Sequence, residues 1–135
     1  MFTKIFLCII LFGIMDAKDN RKDFKYTVNN VLQDPRFTES IILKIKPRRY
    51  LIDYMEEACR IAPTRFTNFT ATYFPSVPGY LINAINGVAG NYNRDHSFWQ
   101  ILNKGVALVV GVSQYIPRPR DNIMFNLTDS ATEHH

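Results

Sequence analysis

One stretch of helical periodicity, held between two prolines, limits what this chain can fold into. From Arg49 to Ala62, apolar residues recur at spacings of three and four, while charged residues occupy the opposite side. Pro47 precedes this stretch and Pro63 ends it, because proline cannot continue a helix. We therefore predict one amphipathic helix. Its start lacks a favourable cap, since arginines occupy the positive end of the helix dipole.

The segments around this helix follow a period of two, which is typical of strands. In residues 40–46, Ile41, Leu43 and Ile45 share one face. Further strands are predicted over 66–74, 80–85, 98–102, 106–112 and 123–127, with tight turns at Asn86-Gly87 and at Asn103-Lys104-Gly105. The order predicts an α+β fold in which one helix packs on antiparallel sheet, of a β-grasp-like kind.

The N-terminus has the pattern of a secretory signal peptide. A short positive start precedes an apolar run over residues 5–15, which is too short to span a bilayer, and cleavage is expected after Ala17. We assign residues 1–17 to the signal peptide, 18–36 to an N-terminal arm that is possibly a strand, 37–129 to the domain and 130–135 to a tail. Two glycosylation sequons, at Asn68 and Asn126, favour a secreted protein with no membrane span after cleavage.

Composition and charge exclude several classes of function. The chain has 135 residues, of which 47% are hydrophobic, which favours a single globular domain. Its net charge is +4, and its dense basic spots, Arg48-Arg49 and residues 118–120, lack interleaved aromatics, so no nucleic-acid partner is expected. After signal cleavage only Cys59 remains of the two cysteines, which excludes a disulfide framework and a Cys/His metal set.

No set of residues in the sequence is typical of catalysis. The histidines are His96, in a polar loop, and His134 and His135, in the tail. Cys59 lies on or beside the buried face of the predicted helix, carboxylates are scattered, and no phosphate-binding glycine loop occurs. We expect a protein that is not an enzyme.

Four segments in a fixed order resemble a known family. The first is 79–90, Gly-Tyr-Leu-Ile-Asn-Ala-Ile-Asn-Gly-Val-Ala-Gly, which leads into an Ile-Asn-Gly turn, and the second is 98–102, Phe-Trp-Gln-Ile-Leu. Leu108, Gly111-Val112 and 115–117 follow at matching spacings, and the helix ending at Pro63 also fits. Over about residues 39–128 the chain resembles the C-terminal domain of the transcobalamin and intrinsic-factor family of cobalamin carriers.

The resemblance implies a ligand and a site. In that family the C-terminal domain covers one face of a cobalamin, and a larger helical domain covers the other. By position, the ligand-binding residues would be Gly79, Tyr80, Ile82, Trp99, Gln100, Ile101 and Leu108. Trp99 is also a candidate for the core. The implied partners are cobalamin or a related corrinoid, a separate helical carrier domain and a cell-surface receptor, with no metal site of the chain's own.

Two other functions stay open from the residues alone. A cystatin-like protease inhibitor would also combine one helix with an antiparallel sheet, and residues 86–90 would supply its inhibitory loop. Secreted cystatins carry paired cysteines and a second hairpin with Pro-Trp, which this sequence lacks. An adhesion or receptor-binding module is the third alternative.

Overall fold

The structure is a computed structural model that describes residues 22–130. The expected signal peptide with Cys8, and the tail histidines His134 and His135, lie outside the described residues. The elements, in chain order, are β1 (Asp23–Asn30), β2 (Phe37–Lys44), α1 (Leu51–Ile61), β3 (Phe69–Phe74), β4 (Gly79–Ile85), β5 (Val88–Ala89), α2 (Tyr92–Asp95), β6 (Ser97–Asn103), β7 (Val106–Ala107) and β8 (Asn122–Asp129).

The strands form two sheets. The larger has five strands in the order β2-β1-β8-β6-β7, and the smaller has three in the order β3-β4-β5. All pairs are antiparallel except β1 with β8, which are parallel. The predicted α+β class is therefore confirmed, with one parallel pair that alternation alone does not reveal. Residues 31–121 connect β1 to β8, and a parallel pair requires a long connection of this kind.

The segment predicted as an N-terminal arm supplies a central strand. β1 lies between β2 and β8, and Phe24, Tyr26 and Val28 point into the core, each at most 2% exposed. The strand that was an alternative within residues 18–36 is therefore β1, and it belongs to the same sheet as β2 and β8. The sequence signal was weak because the other face of β1 is polar.

Helix α1 packs on the inner face of the large sheet. Leu51, Tyr54, Met55 and Ala58 are fully buried, as the spacing of apolar residues predicts. The Tyr54 ring meets the Phe24 ring edge to face, with centroids 4.9 Å apart. Because the Tyr54 hydroxyl accepts a hydrogen bond from the Lys46 amide at 2.8 Å, the buried side chain leaves no polar atom unsatisfied.

The start of α1 is well capped, contrary to expectation. The Leu51 and Ile52 amides donate to the carbonyls of Tyr115 and Val112, at 2.8 and 3.0 Å. In addition, the Asp53 carboxylate accepts from the Tyr50 amide at 2.9 Å. The expectation was wrong because most of the cap comes from a loop some sixty residues away, which no local signal reports.

Two predicted strands are shorter than expected. Strand β7 ends at Ala107, and only the hydrogen bond from the Leu108 amide to the Ile101 carbonyl extends the pairing. Residues 108–116 then leave the sheet, because they form the loop that caps α1. Strand β3 begins at Phe69, and Phe66 stacks on Tyr26 in the core instead.

The two sheets approach closely where β5 leads into β6. A Cβ atom added to Gly90 would lie 2.9 Å from Cα of Phe98 and 3.1 Å from the carbonyl oxygen of Ser97. Both atoms belong to backbone, which cannot move aside as a flexible side chain can. The Gly90 amide also donates to the Asn83 carbonyl at 3.0 Å. Glycine at this position therefore sets the distance between the two sheets.

We predict that Gly90→Ala destabilises the domain by about 1–3 kcal/mol, because the new methyl group would force two backbones apart. Denaturant-induced unfolding would measure the loss. The matched control is Gly111→Ala, since a Cβ there would meet only the Tyr80 carbonyl oxygen, at an ordinary 3.7 Å. Equal stability of the two variants would contradict the role given to Gly90.

No helix within residues 22–130 is long and apolar enough to cross a membrane.

Candidate ligand-binding ledge

The end of the β3–β4 hairpin exposes two tyrosines. Tyr73 and Tyr80 are opposite each other in the antiparallel register, with ring centroids 5.2 Å apart. The two side chains are 50% and 43% exposed. On the same strand, nearer the core, Ile82 is buried at 8% exposure. The inward face of β4 therefore passes from core to solvent along its length.

The loop that caps α1 also holds this hairpin. The Tyr80 amide donates to Oγ of Ser113 at 2.9 Å, and Nε2 of Gln114 donates to the Pro78 carbonyl at 3.1 Å. Residues 111–115 therefore connect the hairpin to the helix start. Such bonds fix the hairpin end in place, which is the preorganisation that a contact surface needs.

Three further aliphatic residues lie next to this junction. Leu108 is half-buried against the core, while Val109 and Val110 are 99% and 38% exposed. Gly111, the residue after Val110, lies near the Tyr80 backbone, since a Cβ added to it would be 3.7 Å from the Tyr80 carbonyl oxygen. We call Tyr73, Tyr80, Leu108, Val109 and Val110 the ledge. Exposed apolar residues on a backbone fixed by hydrogen bonds are typical of a binding surface.

The structure places the seven residues implied by the resemblance at different depths. Tyr80 and Leu108 lie on the ledge, and Ile101 is half-buried, joined to Leu108 by a backbone hydrogen bond. Ile82 and Trp99 are buried, at 8% and 7% exposure.

Trp99 is a core residue by its contacts as well. Its Nε1 donates to the Val88 carbonyl at 3.0 Å, which ties β6 to the small sheet. Gly79 is also buried, beside Ser113 and Gln114. Gln100 alternates with Trp99 along β6 and pairs in register with Asn126, so it lies on the outer face of the large sheet. The seven residues therefore do not share one exposed face.

Sequence reasoning missed Tyr73, Val109 and Val110. Tyr73 lies on a strand that seemed uniformly aromatic and Thr-rich, and the two valines belong to a run that was predicted to be strand. The sequence gives one indication for the valines. The apolar run before Gly111 does not alternate with polar residues, as a strand with one face in solvent would.

A polar cluster supports the loop from beneath. The Tyr115 hydroxyl donates to the carboxylate of Asp121 at 2.5 Å, and the same carboxylate accepts from the amide of Arg118 and from Nδ2 of Asn103. Asp121 is only 6% exposed. Burial, followed by the neighbouring Asp121 carboxylate, raises the pKa of Tyr115 to about 12.

We predict that Tyr115→Phe destabilises the domain by about 1–3 kcal/mol at neutral pH, because the buried Asp121 carboxylate loses a donor. The raised pKa of Tyr115, about 12, also gives this bond a pH dependence. An unfolded tyrosine ionises near pH ~10. In the folded protein the Tyr115 hydroxyl keeps its proton to higher pH. The stabilisation from its hydrogen bond to Asp121 is therefore complete below pH ~10 and is lost as the pH rises toward ~12.

Denaturant unfolding of both proteins as a function of pH would test this. The stability difference between wild type and Tyr115→Phe should shrink over that alkaline window. The difference between wild type and Tyr73→Phe, which removes the hydroxyl of an exposed tyrosine, should not change over the same window. A difference that stays constant with pH would show that the Tyr115 hydroxyl does not contribute in this way.

The titratable side chains that the sequence singled out, Cys59 and His96, are not gathered into a metal site. No group of three His, Cys, Asp or Glu residues within 22–130 could hold a metal ion. Burial raises the pKa of the Cys59 thiol, which makes it a weaker nucleophile. His96 is exposed at the end of α2, with its ring 5.0 Å from that of Tyr92.

The two sequons lie in unlike places. Asn68 is exposed in the loop before β3. Asn126 is half-buried on the central strand β8, and its Oδ1 accepts from Nδ2 of Asn29 at 2.8 Å. The Asn86-Gly87 turn, part of the segment that would serve a cystatin-like inhibitor, does not project freely, because Asn86 bonds to the backbone of Arg65, Thr67 and Asn68.

Fold and ledge together define a class: a small α+β domain that presents a fixed apolar contact surface. The chain is 33% identical over 105 residues to "Cobalamin binding intrinsic factor" of Homo sapiens, a match that covers 76% of this chain and 24% of that protein. The protein of the same name from Canis lupus familiaris is 32% identical over 105 residues, with the same coverage. The chain thus spans about a quarter of the length of these relatives. No family model matches it.

Two solved structures have a similar fold. Haptocorrin in complex with Cbi superposes with a TM-score of 0.62 at 21% identity, covering 79% of this chain and 25% of that one. A putative metal binding protein from Ruminococcus gnavus gives the same TM-score at 13% identity, covering 81% of this chain and 98% of that one. The predicted resemblance to the C-terminal domain of the transcobalamin and intrinsic-factor family is confirmed.

Proposed function

We propose that this chain is a secreted, non-enzymatic module that binds cobalamin or a related corrinoid through the ledge. The observation that carries the proposal is the ledge itself. It is an apolar surface held rigid by the loop at 111–115, on a domain similar to part of cobalamin binding intrinsic factor.

The ledge offers the apolar contact that a corrinoid requires. A corrin is broad and flat, with apolar edges and a rim of amides, so it needs apolar contact beside hydrogen-bonding groups. Tyr73, Tyr80 and Val110 offer the apolar contact. The half-buried Ile101 and Leu108 continue it inward, while Ile82 and Trp99 support it from below.

One surface leaves the other face of the ligand in water. Because a half-site buries less of its ligand, the isolated chain should bind weakly. A separate helical carrier domain would cover the second face, and a cell-surface receptor would be a further partner. Such a partner should increase affinity without any change in the ledge.

The proposed location is extracellular. The signal-like segment at 1–17 and the exposed sequon at Asn68 support it. In this proposal cobalamin is carried cargo. None of the five ledge residues has a His, Cys, Asp or Glu side chain that could ligate its cobalt.

We predict that Tyr80→Ala weakens cobalamin binding about tenfold, because an exposed aromatic contact is lost. Equilibrium titration followed by cobalamin absorbance would measure it, with and without an added helical carrier domain. The matched control is Tyr92→Ala, which removes a tyrosine of similar exposure, 57%, away from the ledge. If wild type shows no binding under either condition, or if both variants lose affinity equally, the proposal is wrong.

For the sequons, we predict that Asn68 carries sugar and that Asn126 does not in the folded, secreted protein. A glycan on Nδ2 of Asn126 would have to be accommodated on the half-buried central strand β8, beside the hydrogen-bonded Asn29. Expression in a glycosylating cell should give a mobility shift that Asn68→Gln abolishes and Asn126→Gln preserves. A shift that depends on Asn126 would contradict this.

The cystatin-like alternative makes a different prediction. It requires inhibition of a papain-type protease at nanomolar concentration, with sensitivity to changes at residues 86–90. We expect no inhibition, because the turn at Asn86-Gly87 is bound to the chain after α1 and is not free to enter a protease cleft.

A further inference from the structure

The topology gathers basic residues at one end of the large sheet. Strands β1 and β8 begin at this end, and β2 and β6 end there. Their termini and the turns beside them carry six exposed cations that are scattered in the sequence. This group, which we call the basic end, consists of Lys22, Lys25, Lys44, Lys104, Arg118 and Arg120.

Backbone hydrogen bonds hold these positions together. The Lys22 carbonyl accepts from the Ile45 amide at 2.7 Å, and the Arg120 amide donates to the Asp23 carbonyl at 2.8 Å. The Lys104 amide donates to the Asn122 carbonyl at 2.9 Å, and Asn122 is the register partner of Lys25. The cations are therefore attached to fixed backbone rather than to independent loops.

None of the six forms an ion pair with a described carboxylate. At the opposite end of the sheet, Arg36 pairs with Asp34 and Arg94 with Asp95, each at 3.0 Å. Two carboxylates at the basic end offset only part of its charge. Asp121 is buried and accepts hydrogen bonds from Tyr115, Arg118 and Asn103. Asp23, the register partner of Lys44, is the one other acid at the described strand ends here. The uncompensated positive potential lies at one end of the molecule.

We infer that the basic end binds a linear sulfated polysaccharide. A protein partner would require an apolar centre, and a single-stranded nucleic acid would require stacking aromatics. Among the described residues at this end, the exposed large apolar side chains are Ile42, the register partner of Lys25, and Val106, beside the Lys104-Gly105 turn. They lie on the two outermost strands of the sheet, so they do not form an apolar centre. The inference rests on the secreted location proposed above, because such polysaccharides are extracellular.

The arrangement suits an extended polyanion. Neighbouring strands lie ~4.8 Å apart, so the row from β2 across β1 and β8 to β6 spans roughly 15 Å. Lys44, Lys25 and Lys104 lie along this row on three different strands or strand ends. Sulfates keep their charge at any physiological pH, so binding should depend on salt and hardly on pH.

Heparin, a sulfated polysaccharide, would serve as the probe with the full folded chain. The test variant is Lys25→Gln/Lys44→Gln/Lys104→Gln. Its control, Arg36→Gln/Arg60→Gln/Arg94→Gln, removes the same net charge from residues that already pair with carboxylates. The test variant should bind heparin about tenfold more weakly near physiological salt, whereas the control should keep most of the wild-type affinity.

Several outcomes would overturn the inference. These are equal losses in both variants, wild-type retention on heparin no stronger than on a sulfonated resin, or tighter binding to phosphatidylserine vesicles than to heparin. Cobalamin titration of the same variants separates this inference from the proposed function. Loss of heparin binding with cobalamin binding intact is expected, and Tyr80→Ala should show the reverse.

Discussion

The loop at residues 111–115 is the junction on which the rest of the structure depends. Its carbonyls satisfy the first amides of α1, its Ser113 hydroxyl holds the β3–β4 hairpin, and its Tyr115 hydroxyl bonds to the buried Asp121. Helix, small sheet and large sheet are therefore fixed to one another through a segment with no regular secondary structure. Loss of these hydrogen bonds would alter the helix start and the ledge together.

Sequence reasoning succeeded for the elements that bury one face. The helix, β4, β6 and β8 each bury one face, so their apolar spacing reports their type. The turns at Asn86-Gly87 and Lys104-Gly105 adopt positive φ at both residues, as such dipeptides predict. The central position of β1 could not be predicted, because its partner β8 is almost a hundred residues away and pairing depends on tertiary structure. The cap of α1 was missed for the same reason.

The site was harder to predict than the fold. The site residues implied by the resemblance stay a prediction: Tyr80, Ile101 and Leu108 lie on or beside the ledge, but depth is not encoded in a motif. Trp99 and Ile82 are conspicuous in the sequence and buried in the structure. Likewise, the basic residues seem dispersed along the chain, and only the register of the strands brings them to one end. Surfaces made from several segments are invisible until the topology is known.

The parallel pairing of β1 with β8 has a consequence for biosynthesis. Strand β1 cannot pair with β8 until β8 has left the ribosome, because the paired residues Lys25 and Asn122 are almost a hundred residues apart in the sequence. Contacts so distant in sequence slow folding. During that interval the edge of β1 that faces β8 in the finished sheet remains unpaired. Chaperones would then meet segments that the finished sheet conceals.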